Sequence, residues 1–127
     1  MKKILLSIGI AILLIVISFS FTSSSASGLL SGNDFISKYE NTPNSVLVDV
    51  RTPLEYDASH IAGALNIDYE NSNFESEISK LDKSKVYFVY CRSGNRSSKS
   101  VILMKKIGIN NIYDLQGGII SAPELLK

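Results

Sequence analysis

Residues 91 to 97 read CRSGNRS and contain the only cysteine of the 127-residue chain. A structural cysteine ordinarily packs among apolar neighbours as a small hydrophobe. Cys91 instead has Arg92, Ser93, Gly94, Asn95, Arg96 and Ser97 on its C-terminal side. Those residue types suit a nucleophile and the anion it attacks. The thiolate is the reactive form of cysteine. Two guanidiniums offer forked donors for an anion, and a glycine permits the tight curvature of a concave loop. Attack on phosphorus and attack on sulfur both fit such a set. Spacing separates them, because Arg96 follows Cys91 by five positions and gives C-x4-R. Cysteine phosphatases carry C-x5-R, a loop one residue longer with room for a tetrahedral phosphate. The shorter loop favours a single extra sulfur atom on the cysteine.

The segment before the loop, KVYFVY, is a nearly continuous apolar run and predicts a buried strand. The segment after it, SSKSVILMKKIG, predicts a helix with Lys105 and Lys106 in its last turn and Gly108 at its C-terminal cap. Cys91 is therefore expected just beyond the carboxyl end of a strand, where open α/β sheets bind ligands. Backbone N–H groups curling round the sulfur, backed by the helix dipole, would stabilise negative charge there. Ser97 and Ser98 can cap the helix or donate to a ligand.

The other elements follow the same alternation. Residues 27 to 32 (SGLLSG) read as a linker. Asn33 or Asp34 is expected to cap a short helix, FISKYE, which NTPN breaks. SVLVDV reads as a second buried strand, and ALNID as a possible third. In RTPLEYDASH, Thr52 at the cap and Pro53 at the first helical position predict a short helix. NSNFESEISKLD places Phe74, Ile78 and Leu81 on one helical face. NIYDL is the last strand, and QGGIISAPELLK finishes the domain. Short apolar strands alternating with helices imply an α/β fold, with a mostly parallel sheet covered on both faces.

Composition is consistent with one domain with a packed core: 45% of residues are hydrophobic and 20% charged. A formal net charge of +1 lacks the basic excess that nucleic-acid binding needs. With one histidine and no C-x-x-C pair, a zinc site of Cys and His is not expected. The N-terminus is a separate unit. MKK, an apolar run from Ile4 to Phe21 and the small residues TSSSASG form the three parts of a secretory signal peptide over residues 1 to 26, with cleavage after Ala26. An uncleaved membrane anchor is the alternative reading. Either places the domain, residues 33 to 127, outside the cytoplasm, periplasmic or secreted. An unpaired thiol in such a compartment is either intermolecular or reactive.

Three stretches together resemble the rhodanese family, and in particular its small single-domain exported sulfurtransferases. LVDVRTPLEYDASHIAGALNI is similar to the family signature D-V-R-x-x-x-E-[YF]-x-x-G-H-I-x-G-A-x-N. CRSGNRS matches the loop C-R-x-G-x-R-[ST], and DLQGGI resembles the closing L-x-G-G-W element. Ser59 stands where the family has glycine, and Ile119 where it has tryptophan. The resemblance implies a three-layer fold around a five-stranded, mostly parallel sheet. It implies thiosulfate sulfurtransferase activity, in which Cys91 takes a sulfur atom from a small anionic donor and passes it to cyanide or a thiol. By the same resemblance Cys91 would be the catalytic residue, no cofactor or metal would be required, and Arg92, Ser93, Gly94, Asn95, Arg96 and Ser97 would form the substrate cradle, the Arg92 side chain either binding or facing solvent. A monomer is expected. The competing readings are a non-catalytic sulfur-binding or protein-docking module, and a cysteine phosphatase or arsenate reductase.

Asp49, Arg51 and Glu55 read as a structural ion-pairing and capping set. His60 invites a Cys–His dyad, but the resemblance places it in a structural turn. Gly117 and Gly118 serve backbone geometry, Tyr69, Tyr87 and Tyr90 are core or pocket wall, and the Leu/Ile stripe of residues 98 to 107 is core.

Overall fold

The structure is a computed structural model and describes residues 27 to 127. The expected signal segment, residues 1 to 26, lies outside the described residues. Five strands, β1 (Ser27–Leu30), β2 (Ser45–Asp49), β3 (Leu65–Asn66), β4 (Val86–Tyr90) and β5 (Ile112–Leu115), form one sheet in the order β1-β5-β4-β2-β3. Every strand pairing in it is parallel. Four helices connect the strands: α1 (Gly32–Asn41), α2 (Pro53–Ala58), α3 (Phe74–Ser79) and α4 (Asn95–Lys106). Two 3-10 turns, Ile119–Ser121 and Pro123–Leu125, close the chain.

Strand β4 is central, which explains its unbroken apolar sequence. Successive side chains on a strand point to opposite faces, and both faces are buried. Tyr87 and Val89 join a core cluster with Val48, Ile78 and Met104 on the α3/α4 side. Phe88 and Tyr90 join a second cluster with Phe35, Leu47, Ile61 and Leu115 on the α1 side. The three-layer α/β architecture expected from the alternation is the one observed.

Several local expectations are corrected. Residues 27 to 32 are not a linker: Ser27–Leu30 pair with Ile112–Leu115 as the edge strand β1, and Gly32 begins α1. Ser31, not Asn33 or Asp34, occupies the α1 cap position. Helix α3 closes at Ser79, so Leu81 lies beyond it, although it still packs on the same cluster. Helix α4 starts at Asn95, two residues before the expected position, and places Asn95, Arg96 and Ser97 in its first turn. Its core face is Ser97, Ser100 and Met104, while Ile102 is 56% exposed. Among the described residues no helix is long and apolar enough to cross a membrane.

Candidate active site

The nucleophile loop starts where β4 ends, so the sheet fixes one side of it. Cys91 is buried, 1% exposed. Its Sγ accepts the backbone N–H of Gly94 at 3.1 Å and of Ser97 at 3.3 Å. Its own S–H faces the Ser97 hydroxyl at 3.4 Å. The loop can bend this sharply because Gly94, at the cap position of α4, adopts φ +98°. The left-handed conformation is open to glycine and costly for residues with a Cβ. Two aligned N–H groups and the N-terminal turn of a twelve-residue helix converge on one sulfur.

A second segment braces the loop from behind. The N–H of Ile119 donates to the Cys91 carbonyl at 2.9 Å, and the N–H of Ile120 donates to the Arg92 carbonyl at 3.0 Å. Gly117 and Gly118, both at positive φ, turn the chain after β5 so that these donors face the loop. The backbone role expected of both glycines is the one seen. Ile119, where the resembled family has tryptophan, is buried in the α1-side core.

The arginines take different places. Arg92, Ser93 and Asn95 are exposed. Arg96 is half-buried and clamped by Glu55, Nη1 to Oε1 at 2.7 Å and Nη2 to Oε2 at 3.0 Å, with Glu70 3.9 Å away. Such a bidentate fork is the strong form of the contact. Arg96, expected to stabilise the loop and the anion, has a carboxylate partner 41 positions away in sequence. Glu55 also forms a capping box with Thr52, so one side chain joins the start of α2 to the start of α4. The Arg96 hydrogen bonds and charge, with help from Thr52 and against burial, hold the Glu55 carboxyl down to about 2.

This sets a pH dependence. A depressed carboxyl contributes stability above its ordinary value of 4.5 and loses it as pH falls toward 2. Glu55→Gln should destabilise the protein at neutral pH by about 1–2 kcal/mol, after allowance for partial exposure and screening. The difference from wild type should vanish between pH 4.5 and about 2, as urea unfolding over a pH series will show. A difference that persists at the acid end would mean the pair is not its source.

Asp49 and Arg51 form a buried pair under the α2 segment, 0% and 5% exposed. Arg51 Nη2 donates to Asp49 Oδ2 and to the Ser59 carbonyl, each at 2.7 Å. The pair therefore ties the end of β2 to the end of α2, a structural role as expected. Ser59 has φ −171°, extended backbone that needs no glycine, so that departure from the signature is accommodated. His60 stacks on Tyr56 at 3.7 Å between ring centroids, and its Nδ1 meets the Tyr56 carbonyl at 2.8 Å. It is not among the groups that meet the Cys91 sulfur. Tyr87 and Tyr90 are buried and Tyr69 packs at the rim of the α3/α4-side core. No cluster of His, Cys, Asp and Glu suited to a metal lies among the described residues.

One buried carboxylate near the loop was not singled out in the sequence. Asp114 of β5 is 5% exposed and borders Ser97. A lone carboxylate inside the apolar run NIYDL was the available signal.

A parallel sheet carrying a cradled thiol at the end of its central strand defines a class of α/β domain built around a cysteine loop. The chain belongs to the rhodanese-like domain family, which matches residues 33 to 121. It is 37% identical over 75 residues to a probable adenylyltransferase/sulfurtransferase, MoeZ, of Mycobacterium tuberculosis, covering 59% of this chain and 19% of that protein. It is 31% identical over 92 residues to a tRNA uridine(34) hydroxylase of Pelagibacter ubique, covering 72% and 31%. It spans between about a fifth and a third of these two relatives. Among solved structures it is similar to a rhodanese-related protein of Thermoplasma volcanium, with TM-score 0.65 and 32% identity over 75% of this chain and 89% of that one.

Proposed function

We propose that this protein is a rhodanese-type sulfurtransferase that carries sulfane sulfur on Cys91. The observation that supports this most directly is the pair of N–H donors on the buried Cys91 sulfur. The Cys91 thiolate attacks the outer sulfur of a donor such as thiosulfate. The new S–S bond forms as the old one breaks, and the electron pair leaves with sulfite. The persulfide remains in the loop, where the N–H groups stabilise its charge much as an oxyanion hole does. A nucleophilic acceptor, cyanide or a thiol, then attacks the terminal sulfur, and Cys91 leaves as thiolate. The chain holds no second cysteine, so the sulfur must depart to an external acceptor. Arg92 is the exposed guanidinium for the donor, and Arg96 keeps the loop in shape through Glu55. We place the domain outside the cytoplasm on the strength of the signal-like segment of residues 1 to 26.

Purified full-length protein in mild detergent should form thiocyanate from thiosulfate and cyanide. Intact mass should show one added sulfur. Cys91→Ser should reduce both to background, because covalent catalysis has no route without the nucleophile. Robust Cys91-dependent hydrolysis of an aryl phosphate would overturn the assignment. One added sulfur without turnover would favour a sulfur-binding module.

A further inference from the structure

Both nitrogen tips of the Arg96 fork already hold an oxygen of Glu55, at 2.7 and 3.0 Å. A second carboxylate is not needed to keep that side chain in place. Glu70 nevertheless sets its Oε2 3.9 Å from Arg96 Nη1, with its own side chain 61% exposed. The backbone around Glu70 is anchored. The Tyr69 N–H donates to the Val50 carbonyl at 3.1 Å, the Glu70 N–H to Asp68 Oδ1 at 2.9 Å and the Asn71 N–H to the Asp68 carbonyl at 3.1 Å. The Tyr69 ring packs edge-on against Phe74, 5.2 Å between centroids, and against the core. A fixed turn thus presents a solvated carboxylate beside the first turn of α4.

Charge is the consequence. Residues 91 to 97 carry two cations, Arg92 and Arg96. Arg92 is exposed, and Arg96 faces two carboxylates. Arg96 directly precedes Ser97, whose N–H meets the Cys91 sulfur at 3.3 Å. The guanidinium nearest that donor is therefore overcompensated, and the two cations of the loop are matched by Glu55 and Glu70. Coulomb energy is proportional to the charge of an incoming donor, so the lost positive excess weighs most against a dianion.

We propose that Glu70 is a specificity-determining residue of the sulfur transfer, turning the Cys91 loop away from dianionic donors and toward sulfane-sulfur donors of low charge. This role rests on the sulfurtransferase reading. With a neutral persulfide RS–SH, the Cys91 thiolate attacks the outer sulfur and a new S–S bond forms. The old S–S bond breaks, RS⁻ leaves with the electron pair, and Cys91 keeps the S–H group. Thiosulfate brings two negative charges to the same thiolate. Glu70 touches no reacting atom. It acts through the field it adds and the Arg96 charge it takes up.

The test compares two alkylating agents on the full-length protein and needs no sulfur donor. Iodoacetate and iodoacetamide have nearly the same shape and meet the same thiolate, so the ratio of their rates reports charge around the sulfur. A purely structural effect moves both rates together. Glu70→Gln should raise the iodoacetate-to-iodoacetamide ratio roughly two- to fivefold at low salt, the range of an exposed charge interaction. In about 1 M salt, where the screening length falls to about 3 Å, the difference should vanish. Glu40→Gln removes the same charge from the last turn of α1, just ahead of β2 and so toward the opposite ends of the strands from Cys91. It should leave the ratio at the wild-type value. In the thiocyanate assay, Glu70→Gln should raise kcat/KM for thiosulfate by more than the iodoacetate gain, because the donor is a dianion. An unshifted ratio would overturn the proposal, as would a shift that persists at high salt or one that Glu40→Gln reproduces. A shifted ratio with no thiosulfate turnover in either protein would support the charge role of Glu70 and overturn the sulfurtransferase reading instead.

Discussion

Gly118→Ala should cost the protein about 3 kcal/mol or more of stability and lower the reactivity of Cys91 by at least about 100-fold. Gly118 has φ +66° and ψ −171°, a region that side chains with a Cβ hardly enter. A Cβ there would lie 2.3 Å from the Arg92 carbonyl oxygen and 2.5 Å from the Ser93 nitrogen. Both obstacles are backbone of the nucleophile loop, so no rotamer change relieves the overlap. The loop must shift, and Cys91 Sγ loses its alignment with the Gly94 and Ser97 N–H groups. A displacement of about 1 Å at a reacting atom is enough for a loss of this size. Thermal unfolding together with the iodoacetamide rate will show it. Gly28→Ala is the comparison: a Cβ at Gly28 meets nothing within 4 Å, and both properties should stay close to wild type. A Gly118→Ala protein with unchanged thiol reactivity would mean the glycine turn does not hold the loop.

Asp49→Ala should be similarly damaging, by about 3–5 kcal/mol, for an electrostatic reason. It leaves the Arg51 guanidinium 5% exposed without its carboxylate. The remaining contacts are the Ser59 carbonyl and the Tyr90 ring, 5.6 Å from the guanidinium carbon. Neither neutralises a full charge. Replacing both partners, Asp49→Ala with Arg51→Met, removes the stranded cation and should recover much of the stability measured by urea unfolding. Thiol reactivity should not recover to the same degree, because the tie from Arg51 to the end of α2 is gone and Glu55 sits on that helix. Equal stability of the single and double variants would show that the unpaired charge is not the cause.

The parts of the site that sequence could convey are those held within one short stretch. CRSGNRS contains both the sulfur and the two N–H groups that meet it, six positions apart at most. The burial of Tyr87, Phe88, Val89 and Tyr90, alternately in the two core clusters, likewise follows from an unbroken apolar run. The capping box of Thr52 and Glu55 is a local pattern too. What stayed hidden depends on distant chain. Glu55 serves its own helix and also Arg96, and nothing in a capping motif reveals the second use. SGLL has two small residues in four and little burial, so no periodicity marks it. It becomes a strand because β5 offers an unpaired edge. The start of α4 at Asn95 depends on Gly94 entering the left-handed region, a freedom that glycine has without being obliged to use.

The all-parallel sheet has a consequence in time. Parallel neighbours cannot close as a tight hairpin and need a crossover. The pairings between β2 and β4 and between β1 and β5 therefore join distant parts of the chain, and such contacts form slowly. The supports of the sulfur share that property. Glu55 reaches Arg96 across 41 positions, and the Ile119 N–H closes on the Cys91 carbonyl only when the last strand has docked. A nascent chain thus carries a cysteine without a cradle. Its chemistry switches on with completion of the fold, and a half-made copy is a poor trap for stray sulfur.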